Sequence, residues 1–383
     1  MNKPLKIAYL SSETPLNKRV WSGTHHNIYK SLQSFGEVEI LGPHEPKLAV
    51  LLGKIRHKLS QVLFGKRYDY RHSFLLSKSY ASYFTKKLNE CDVDLIVAPA
   101  ASCEIASLNT KIPIVYITDG TFASCLNYHK SLTNLSKSST NEGNAIEQAA
   151  ISKSSAVIVS SDWAANSVIQ DYNANVDKVK VIPFGANFDL LPEKEELIFD
   201  QQKVFKLLFV GVYWQSKGGD IAYNAFEILH KKGYAVSLTV VGCEPPPNLM
   251  NPDLHYYQFI DKNSSEGQKQ LSAIYKEHHL LLLPTRFDCT PIVINEASAF
   301  GIPSMVSNSG GVQGHLKENI NGKLIDYKDQ GEFFAKEIEQ LILHPETYLA
   351  LRKSSRNLYD STLNWKNWQT EFRKVIANIK GLS

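Results

Sequence analysis

Residues 284–311 read PTRFDCTPIVINEASAFGIPSMVSNSGG, and this stretch decides the fold assignment. It places two acids, Asp288 and Glu296, eight positions apart, with a short turn after the first and an apolar run of helical spacing around the second. A strand-like piece and a double-glycine loop, Gly310–Gly311, follow. The amides at a helix start can face an anion, so this succession of acid, turn, helix and glycine loop predicts a site that binds a polyhydroxylated, anionic ligand.

Short apolar runs alternate with helical patterns on both sides of this stretch, which predicts α/β architecture with parallel sheets and crossover helices. The rhythm breaks at 189–203, an acidic stretch that we interpret as an interdomain hinge. We therefore predict two doubly wound, Rossmann-like domains, 1–190 and 191–361, that face each other across a cleft. Ligands of such sheets bind at the carboxyl ends of the strands. The predicted strands lie at 5–10, 37–41, 94–98, 113–117, 155–160, 179–182, 205–210, 236–241, 255–259, 279–283, 302–306 and 323–326.

The composition is that of a soluble globular protein. The 383 residues are 43% hydrophobic and 21% charged, and this length favours two domains. The five cysteines form no C-x-x-C pair, so we interpret them as reduced thiols rather than disulfide or zinc partners. No signal peptide precedes the first strand, and no apolar stretch is long enough to span a bilayer. These features predict a cytoplasmic protein.

A second glycine loop lies at 207–229, where a predicted strand, a loop and a helix follow one another. Gly211 ends the strand, Lys217-Gly218-Gly219 opens the helix, and Asp220 is a candidate helix cap. Glycines let the backbone approach a phosphate, and the helix start and Lys217 add positive charge. The alternative is that Lys217 is only a solvated residue at a helix start.

Taken together, the two segments resemble glycosyltransferase family 4. The acid pair resembles that family's E-x7-E signature, although the first acid here is Asp288. The glycine loop resembles its phosphate-binding loop, in which Lys217 matches the lysine and Val212 stands at the position of an arginine. The resemblance implies the GT-B fold of two Rossmann-like domains, with a C-terminal helix at about 362–383 that crosses back to the N-terminal domain and packs there through Trp365 and Trp368.

The resemblance also implies roles for residues of the C-terminal half. Glu296 would hold the donor ribose and Asp288 would contact the transferred sugar, while Asp288 can also serve as a helix cap. Pro291 lacks the N–H that the family uses, and the Thr290 hydroxyl can compensate for it. Arg286 is hypothesised to replace the missing arginine, and the alternative is an outward-facing surface arginine. The implied catalytic residues are Lys217, Asp288, Asp119 and Arg286, and the implied donor-binding residues are Gly23, Gly185, Gly211, Lys217, Gly218, Thr290, Ile292 and Glu296.

In the N-terminal half, Gly23 matches the family's glycine beneath the donor diphosphate. His25 and His26 follow at the helix start, either as acceptor or phosphate contacts or as ordinary polar helix-start residues. Asp119 follows the strand 113–117 at its carboxyl end. This position predicts that Asp119 contacts the acceptor or accepts its proton, and the alternative is an Asx-turn. Gly185 and Asn187 resemble a turn that lines the cleft.

The stretch 47–87 is basic, with ten Lys or Arg against one acid, Asp69. Apolar residues at helical spacing inside it predict a basic amphipathic helix, which can lie on an anionic membrane surface. The alternative is a helix packed into the core with a solvated basic face. We predict no nucleic-acid binding, because no recognisable binding module accompanies the patch.

The predicted function is a retaining glycosyltransferase that moves a sugar from a nucleoside-diphosphate-sugar donor to a sugar or lipid-linked hydroxyl acceptor, in surface polysaccharide or glycolipid assembly. We predict no cofactor and no metal site, since Asp92-Val93-Asp94 precedes a strand and His278-His279 opens one. The rivals are a nucleotide-sugar epimerase of the same architecture and a non-catalytic partner subunit. The predicted location is cytoplasmic, with peripheral contact to the inner face of the membrane through 47–87.

Overall fold

A computed structural model describes residues 4–197 and 203–379. The chain forms two compact units, one made of residues up to Ile182 together with the chain from Gln369 onward, and one that runs from Pro183 to Trp368. Part of the predicted hinge, 198–202, lies outside the described residues, as do 380–383 of the predicted final helix.

The first unit is a six-stranded, fully parallel sheet in the order β2-β1-β3-β4-β5-β6. Its strands are short apolar runs such as LIVAP, which are buried on both faces because helices cover the sheet. Its elements are β1 Leu5–Tyr9, α1 Thr24–Leu32, β2 Gly36–Ile40, α2 Lys47–Phe64, α3 Phe74–Asn89, β3 Leu95–Pro99, α4 Ser102–Ala106, β4 Ile114–Thr118, α5 Phe122–Cys125, α6 Lys137–Lys153, β5 Ala156–Val159, α7 Asp162–Gln170 and β6 Val179–Val181.

The second unit repeats this plan with a parallel sheet in the order β12-β11-β10-β7-β8-β9. It has a core of its own, built around side chains such as Leu207, Leu281 and Phe226. Its elements are β7 Phe205–Val210, α8 Gly219–Lys231, β8 Val236–Val241, β9 Leu254–Tyr257, α9 Ser265–Glu277, β10 Leu280–Leu283, α10 Ile292–Ala299, β11 Ser304–Ser307, β12 Gly322–Ile325, α11 Glu332–Leu343 and α12 Pro345–Ser361. The last helix, α13 Trp365–Ala377, is shared between the two units.

The predicted α/β class with two Rossmann-like domains is confirmed. The order of the second sheet reverses between β7 and β10, which are neighbours in register Leu207 with Leu280. The loops that leave the carboxyl ends of two such strands diverge and open a crevice where ligands of doubly wound sheets bind. In this unit those two loops are 211–218 and 284–291, and they lie within the two segments whose sequence predicts a ligand site, 207–229 and 284–311.

Helix α13 begins in the second unit, and its residues from Gln369 onward belong to the first unit. There Phe372 packs edge-on against Phe35, at 5.2 Å between ring centroids, which confirms the predicted return of the last helix. The predicted position of the tryptophans was wrong for Trp365. Its indole N–H donates to the Ala186 oxygen at 3.0 Å in the second unit, because a half-buried indole needs a nearby acceptor.

Candidate active site

One glycine, Gly218, allows the loops after β7 and β10 to come together. A Cβ on Gly218 would stand 1.9 Å from the Pro284 carbonyl oxygen, and the residue has a φ of +75°, so only glycine fits there without strain. The Arg286 N–H donates to the Ser216 carbonyl at 2.9 Å, which joins the two loops a second time. The predicted donor-binding loop and the predicted acid segment therefore form one corner.

The corner holds an ion pair. The Lys217 ammonium lies 2.5 Å from Asp288 Oδ2, and the two side chains are 24% and 10% exposed. Gly211 makes room for the lysine, since a Cβ there would stand 2.8 Å from Lys217 Cγ. The amide of Gly311 donates to the Asp288 carbonyl at 3.0 Å, so the double-glycine loop closes on the same residue. A partly exposed ammonium on a fixed stem can meet an anionic ligand at this corner.

Arg286 makes a different pair. Its guanidinium donates to both carboxylate oxygens of Asp220 at 2.7 Å and to the Gln215 carbonyl at 2.7 Å. Burial by itself would raise the pKa of Asp220, but the hydrogen bonds and charge of Arg286 lower it below its usual value. The side chain is neither fully buried nor simply outward-facing, and it ties the β10 loop to the first turn of α8.

Glu296 lies inside α10 and is completely buried. Its Oε1 accepts from the Lys262 ammonium at 2.7 Å, and its Oε2 accepts from the Tyr275 hydroxyl at 3.0 Å. Both partners come from the loop and helix that follow β9. Burial, and then the carboxylate of Glu296, raise the pKa of Tyr275 well above its usual range, so the phenol remains a donor.

The first backbone amide of α10 forms a hydrogen bond within its own turn. Ile292 is buried, and its N–H donates to the Thr290 carbonyl at 2.9 Å, while Pro291 stands at the N-cap. The Thr290 side chain is half-buried beside this turn. The predicted donor contacts at Thr290 and Ile292 stay predictions, and in this structure the Ile292 amide is engaged locally.

In the first unit, Gly23 caps α1 with a φ of +94°, and Trp21 and Ser22 before it also have positive φ values, +47° and +55°. Three consecutive left-handed residues are costly and need support from the surrounding structure. Trp21 supplies part of it, because its indole N–H donates to Asp119 Oδ2 at 3.0 Å. The structure thus brings Gly23 and Asp119, both predicted site residues, to the same sheet edge.

The two predicted acceptor-side histidines differ in accessibility. His25 is only 2% exposed, with its Nδ1 2.6 Å from the Tyr9 hydroxyl, and burial lowers its pKa to about 4. It is therefore a neutral packing residue in this structure, because desolvation disfavours the imidazolium. His26 is less buried, and its Nδ1 lies 3.1 Å from the Pro15 carbonyl.

Gly185 lies in the turn that follows the first unit. A Cβ there would stand 2.5 Å from the backbone nitrogen of Trp365, and Asn187 Oδ1 accepts from the Trp365 indole at 3.2 Å. Both residues thus hold the first turn of α13.

The partners of Glu296, Lys262 and Tyr275, were not predicted from the sequence. A signal for Lys262 was present: it stands between a predicted strand, 255–259, and a predicted helix, and such a connection lies at the ligand-binding edge of a parallel sheet. Tyr275 carried no comparable signal, because its pattern is that of an ordinary helix core position.

The basic helix α2 presents apolar side chains to solvent. Only Ala49, Val50 and Gly53 of this helix are buried. The structure therefore disagrees with the alternative in which the apolar stripe packs into the core. The exposed apolar residues of α2 are Leu48, Leu51, Leu52, Ile55, Leu59, Val62, Leu63 and Phe64.

Across residues 4–197 and 203–379, no helix combines the length and apolar character needed to cross a bilayer. Within the same two stretches, no three His, Cys, Asp or Glu side chains come together in a way that could hold a metal ion.

Two family models match the chain. One described as "Glycosyltransferase Family 4" matches residues 26–190, and one described as "Glycosyl transferases group 1" matches residues 204–344. A D-inositol 3-phosphate glycosyltransferase of Corynebacterium diphtheriae is 24% identical over 61% of this chain and 57% of its own length. An uncharacterised glycosyltransferase of Haemophilus influenzae is 30% identical over 51% of this chain and 53% of its own. The chain thus spans a little over half the length of these curated relatives.

Solved structures share the fold over nearly the whole chain. Sucrose-phosphate synthase from Thermosynechococcus elongatus superposes with a TM-score of 0.72 at 16% identity, covering 99% of this chain and 100% of that one. Anabaena HepE, solved with UDP and glucose, superposes with a TM-score of 0.64 at 16% identity, covering 97% and 99%. With two parallel six-stranded sheets, a shared GT-B fold and family models over both halves, the chain belongs to glycosyltransferase family 4.

Proposed function

We propose that this protein transfers a sugar from a nucleoside-diphosphate-sugar donor to a hydroxyl group of a sugar or lipid-linked acceptor, with retention at the anomeric carbon. The observation that carries the proposal is the Lys217–Asp288 pair at the β7/β10 crevice. The corner combines a cation for the diphosphate with a carboxylate for sugar hydroxyls, and it lies where doubly wound sheets bind nucleotides.

The first step assigned to this corner is charge stabilisation. As the bond between the anomeric carbon and the diphosphate oxygen breaks, negative charge grows on the leaving group, and the Lys217 ammonium faces that charge. The new bond forms between the acceptor oxygen and the same face of the anomeric carbon. The acceptor proton passes to a leaving diphosphate oxygen, so no protein nucleophile and no metal ion is required.

The remaining contacts follow from the positions of the side chains. Asp288 is assigned to the transferred sugar and to the orientation of Lys217, while the nucleoside is assigned to the Glu296–Lys262 side of α10. In the first unit, Asp119 is assigned to the acceptor hydroxyl, with Trp21 fixing its carboxylate through the bond at 3.0 Å. Gly23 and the loop before it are assigned to the diphosphate.

The donor test uses the purified protein and UDP-, GDP-, ADP- and dTDP-sugars. A ligand that binds the folded form raises the melting temperature, so thermal shifts identify the base before turnover is measured. Analysis of the product by NMR then gives the anomeric configuration, and turnover in the presence of EDTA tests the metal independence. A donor that is isomerised without acceptor would favour an epimerase, and no shift with any donor would favour a non-catalytic subunit.

We further propose that α2 rests on an anionic membrane surface, which places the enzyme at the cytoplasmic face for surface polysaccharide or glycolipid assembly. Its exposed apolar side chains can enter the interface, and the lysines and arginines of 47–87 each add about 1 kcal/mol near anionic lipid. Vesicles of phosphatidylglycerol should bind the protein more tightly than vesicles of phosphatidylcholine, and added salt should weaken the binding.

A matched pair of variants tests this contact. Leu59 on α2 and Leu343 at the end of α11 are both 53% exposed. Leu59→Glu should reduce co-flotation with phosphatidylglycerol vesicles, because it places a charge in the inserted face, whereas Leu343→Glu should not. Equal loss in both variants, or none in either, would contradict a specific role for α2.

A further inference from the structure

Four titratable side chains of the first unit, which the proposed function does not use, lie close together: His72, Asp69, Glu104 and Glu147, here called the His72 cluster. The order of the first sheet reverses between the neighbouring strands β1 and β3, so its crevice opens between the loops that follow those two strands. Glu104 on α4 bridges this crevice, because its Oε1 accepts from the Ser12 N–H in the loop after β1 at 3.2 Å. The cluster therefore lies where ligands of a doubly wound sheet bind.

The His72 ring is oriented before any ligand arrives. Its Nδ1 lies 2.6 Å from Asp69 Oδ2. The Asp69 N–H donates to the Ser139 hydroxyl at 2.8 Å, and Asp69 Oδ1 accepts from the Arg71 N–H at 3.1 Å. The ring of Phe122, which begins α5 after β4, meets the imidazole edge-on at 5.1 Å between centroids. A ring fixed in this way lowers the entropy cost of binding.

The second ring nitrogen of His72, Nε2, is the ring atom that can serve a ligand. The side chain is 27% exposed, against 11% for Asp69. Within residues 4–197 and 203–379, the ring forms no hydrogen bond other than the one to Asp69. Nε2 accepts a hydrogen bond when the imidazole is neutral and donates one when it is protonated. A sugar hydroxyl matches Nε2 in both states, because it is both a donor and an acceptor, whereas an ionised phosphate oxygen can only accept.

The two glutamates of the cluster are almost completely buried. Glu104 is 5% exposed and Glu147 is 2% exposed. Glu147 Oε1 accepts from the Tyr116 hydroxyl at 2.9 Å. Burial raises the pKa of both carboxyls, while the hydrogen bonds from Ser12 and Tyr116 act in the opposite direction. Both glutamates are thus held in fixed positions behind the imidazole.

The charges around the ring disfavour an anion. Burial by itself would lower the pKa of His72, but the hydrogen bond and charge of Asp69, with smaller contributions from Glu147 and Glu104, raise it above its usual value. The neighbouring Arg71 is exposed, so water and salt screen its charge. A phosphate group at Nε2 would face three carboxylates in a partly buried setting, whereas a neutral sugar would not be repelled.

We propose that His72 is a specificity-determining contact to the acceptor, which selects an uncharged, hydroxyl-bearing sugar group against a phosphorylated one. Nε2 exchanges a hydrogen bond with a sugar hydroxyl, and Asp69 is a positioning residue that orients the ring. Glu104 and Glu147 supply the negative field that disfavours an anion. The inference rests on the proposed function, since it takes the acceptor to lie at the sheet edge that also carries Asp119.

The test uses the full chain, the donor identified by thermal shift, and matched acceptor pairs. The pairs are the octyl glycosides of glucose, galactose, mannose and N-acetylglucosamine, each with and without a phosphate at the 6-position. Initial rates at varied acceptor concentration give kcat/KM, and the parent should prefer the neutral member of a pair by about tenfold or more. A preference for the phosphorylated members, or no transfer to any neutral glycoside, would overturn the proposal.

Substitutions of His72 test the contact itself. His72→Phe keeps an aromatic ring and should raise the KM of the neutral glycoside about tenfold, as expected for one lost hydrogen bond, while the KM of the donor stays unchanged. His72→Gln keeps a group that both donates and accepts, so it should lose only about threefold. Asp69→Asn should likewise raise only the acceptor KM. An unchanged acceptor KM in His72→Phe, or an equal rise in both KM values, would make the ring structural.

Glu104→Gln and Glu147→Gln test the field, since each removes one negative charge and keeps an oxygen that can accept from Ser12 or Tyr116. Each should reduce the preference for the neutral acceptor about fivefold. An unchanged preference in both variants would contradict the proposed selection. His230→Phe is the matched control, because His230 also pairs with an aspartate, Asp253 at 3.3 Å, but on the second unit, and both KM values should equal those of the parent.

Hydrolysis of the donor in the absence of acceptor separates this inference from the proposed function. Release of sugar from the donor without a preference for neutral acceptors would remove only the inference about His72. No release and no thermal shift with any donor would remove the proposed function as well.

Discussion

At the carboxyl edge of the second sheet, the Lys217 ammonium is partly exposed beside the nearly buried Asp288 carboxylate, whereas at the corresponding edge of the first sheet His25 is buried between Tyr9 and Trp21. Both edges begin with a strand, a glycine loop and a helix. The second edge uses ionic groups that can meet an anion, and the first uses aromatic packing that shapes a strained loop. A strand, a glycine loop and a helix in the sequence therefore locate the edge of a sheet. The neighbouring side chains determine whether that edge can bind an anion or only stabilises a loop.

Removing the cation at the second edge should have the largest effect. Lys217→Ala should lower the rate of sugar transfer by about 10²–10³, which corresponds to about 2–4 kcal/mol of lost stabilisation of the leaving group. Initial rates at saturating donor measure the change. Lys231→Ala is the control, because Lys231 also pairs with a carboxylate of the same unit, Glu227, on the exposed face of α8. A rate close to that of the parent in Lys217→Ala would contradict the ionic role of this edge.

The second largest effect is expected from disrupting the contact between the two loops that hold Lys217. Gly218→Ala should lower the free energy of unfolding by about 2 kcal/mol or more, since the new methyl would meet the Pro284 carbonyl in addition to adopting a left-handed backbone. Gly233→Ala is the matched control: its φ is +85°, but no atom lies within 4 Å of the added Cβ, so about 1 kcal/mol is expected. Urea denaturation of both variants separates the clash from the backbone strain, and equal losses would argue against close packing of the two loops.

At the edge of the first sheet, the buried His25 should make the free energy of unfolding depend on pH. Burial lowers the pKa of His25 to about 4, so the unfolded chain takes up its proton near pH 6.5 and the folded chain does not. The stability from His25 is present above pH 6.5 and is lost as the pH falls toward 4. Between pH 8 and pH 5 this amounts to about 2 kcal/mol, and His25→Gln should reduce the pH dependence of unfolding by that amount.

His230→Gln serves as the comparison for this measurement, because the His230 side chain is 38% exposed. An identical pH dependence in the parent and in His25→Gln would mean that the imidazole reaches water, and the contrast between the two edges would then disappear.

The smallest effect is expected at Arg286, which borders the ionic corner but donates to Asp220 with both terminal nitrogens. Arg286→Ala should cost about 1 kcal/mol of stability, because a partly exposed bidentate pair is lost, and should leave turnover within about threefold of the parent. A rate loss as large as that of Lys217→Ala would instead support the hypothesis that Arg286 replaces the missing arginine of the phosphate loop.

Much of the fold could be predicted from the sequence. Apolar runs such as 205–210 and 236–241 predicted β7 and β8 with the same bounds, because a strand buried on both faces must be apolar throughout. Glycine loops between strand and helix located the corner, since the backbone there requires glycine at 218.

The partners of the site residues could not be predicted. Lys262 and Glu296 are 34 positions apart and meet only through the packing of β9, α9 and α10. The spacing of apolar residues along a helix is equally uninformative about direction: in α2, Ile55 and Leu59 form the expected stripe, but periodicity does not state whether the stripe faces a core or water. Burial of His25 likewise depends on Tyr9 and Trp21, which come from other elements.

The first unit is assembled from two separate pieces of chain, and the second piece begins at Gln369. On a ribosome, the whole of 183–368 is therefore synthesised before Phe372 can reach Phe35. Until the segment from Gln369 has been made, the first unit lacks the Phe372 ring that packs against Phe35. Synthesis of the first unit therefore starts before that of the second unit and finishes after it.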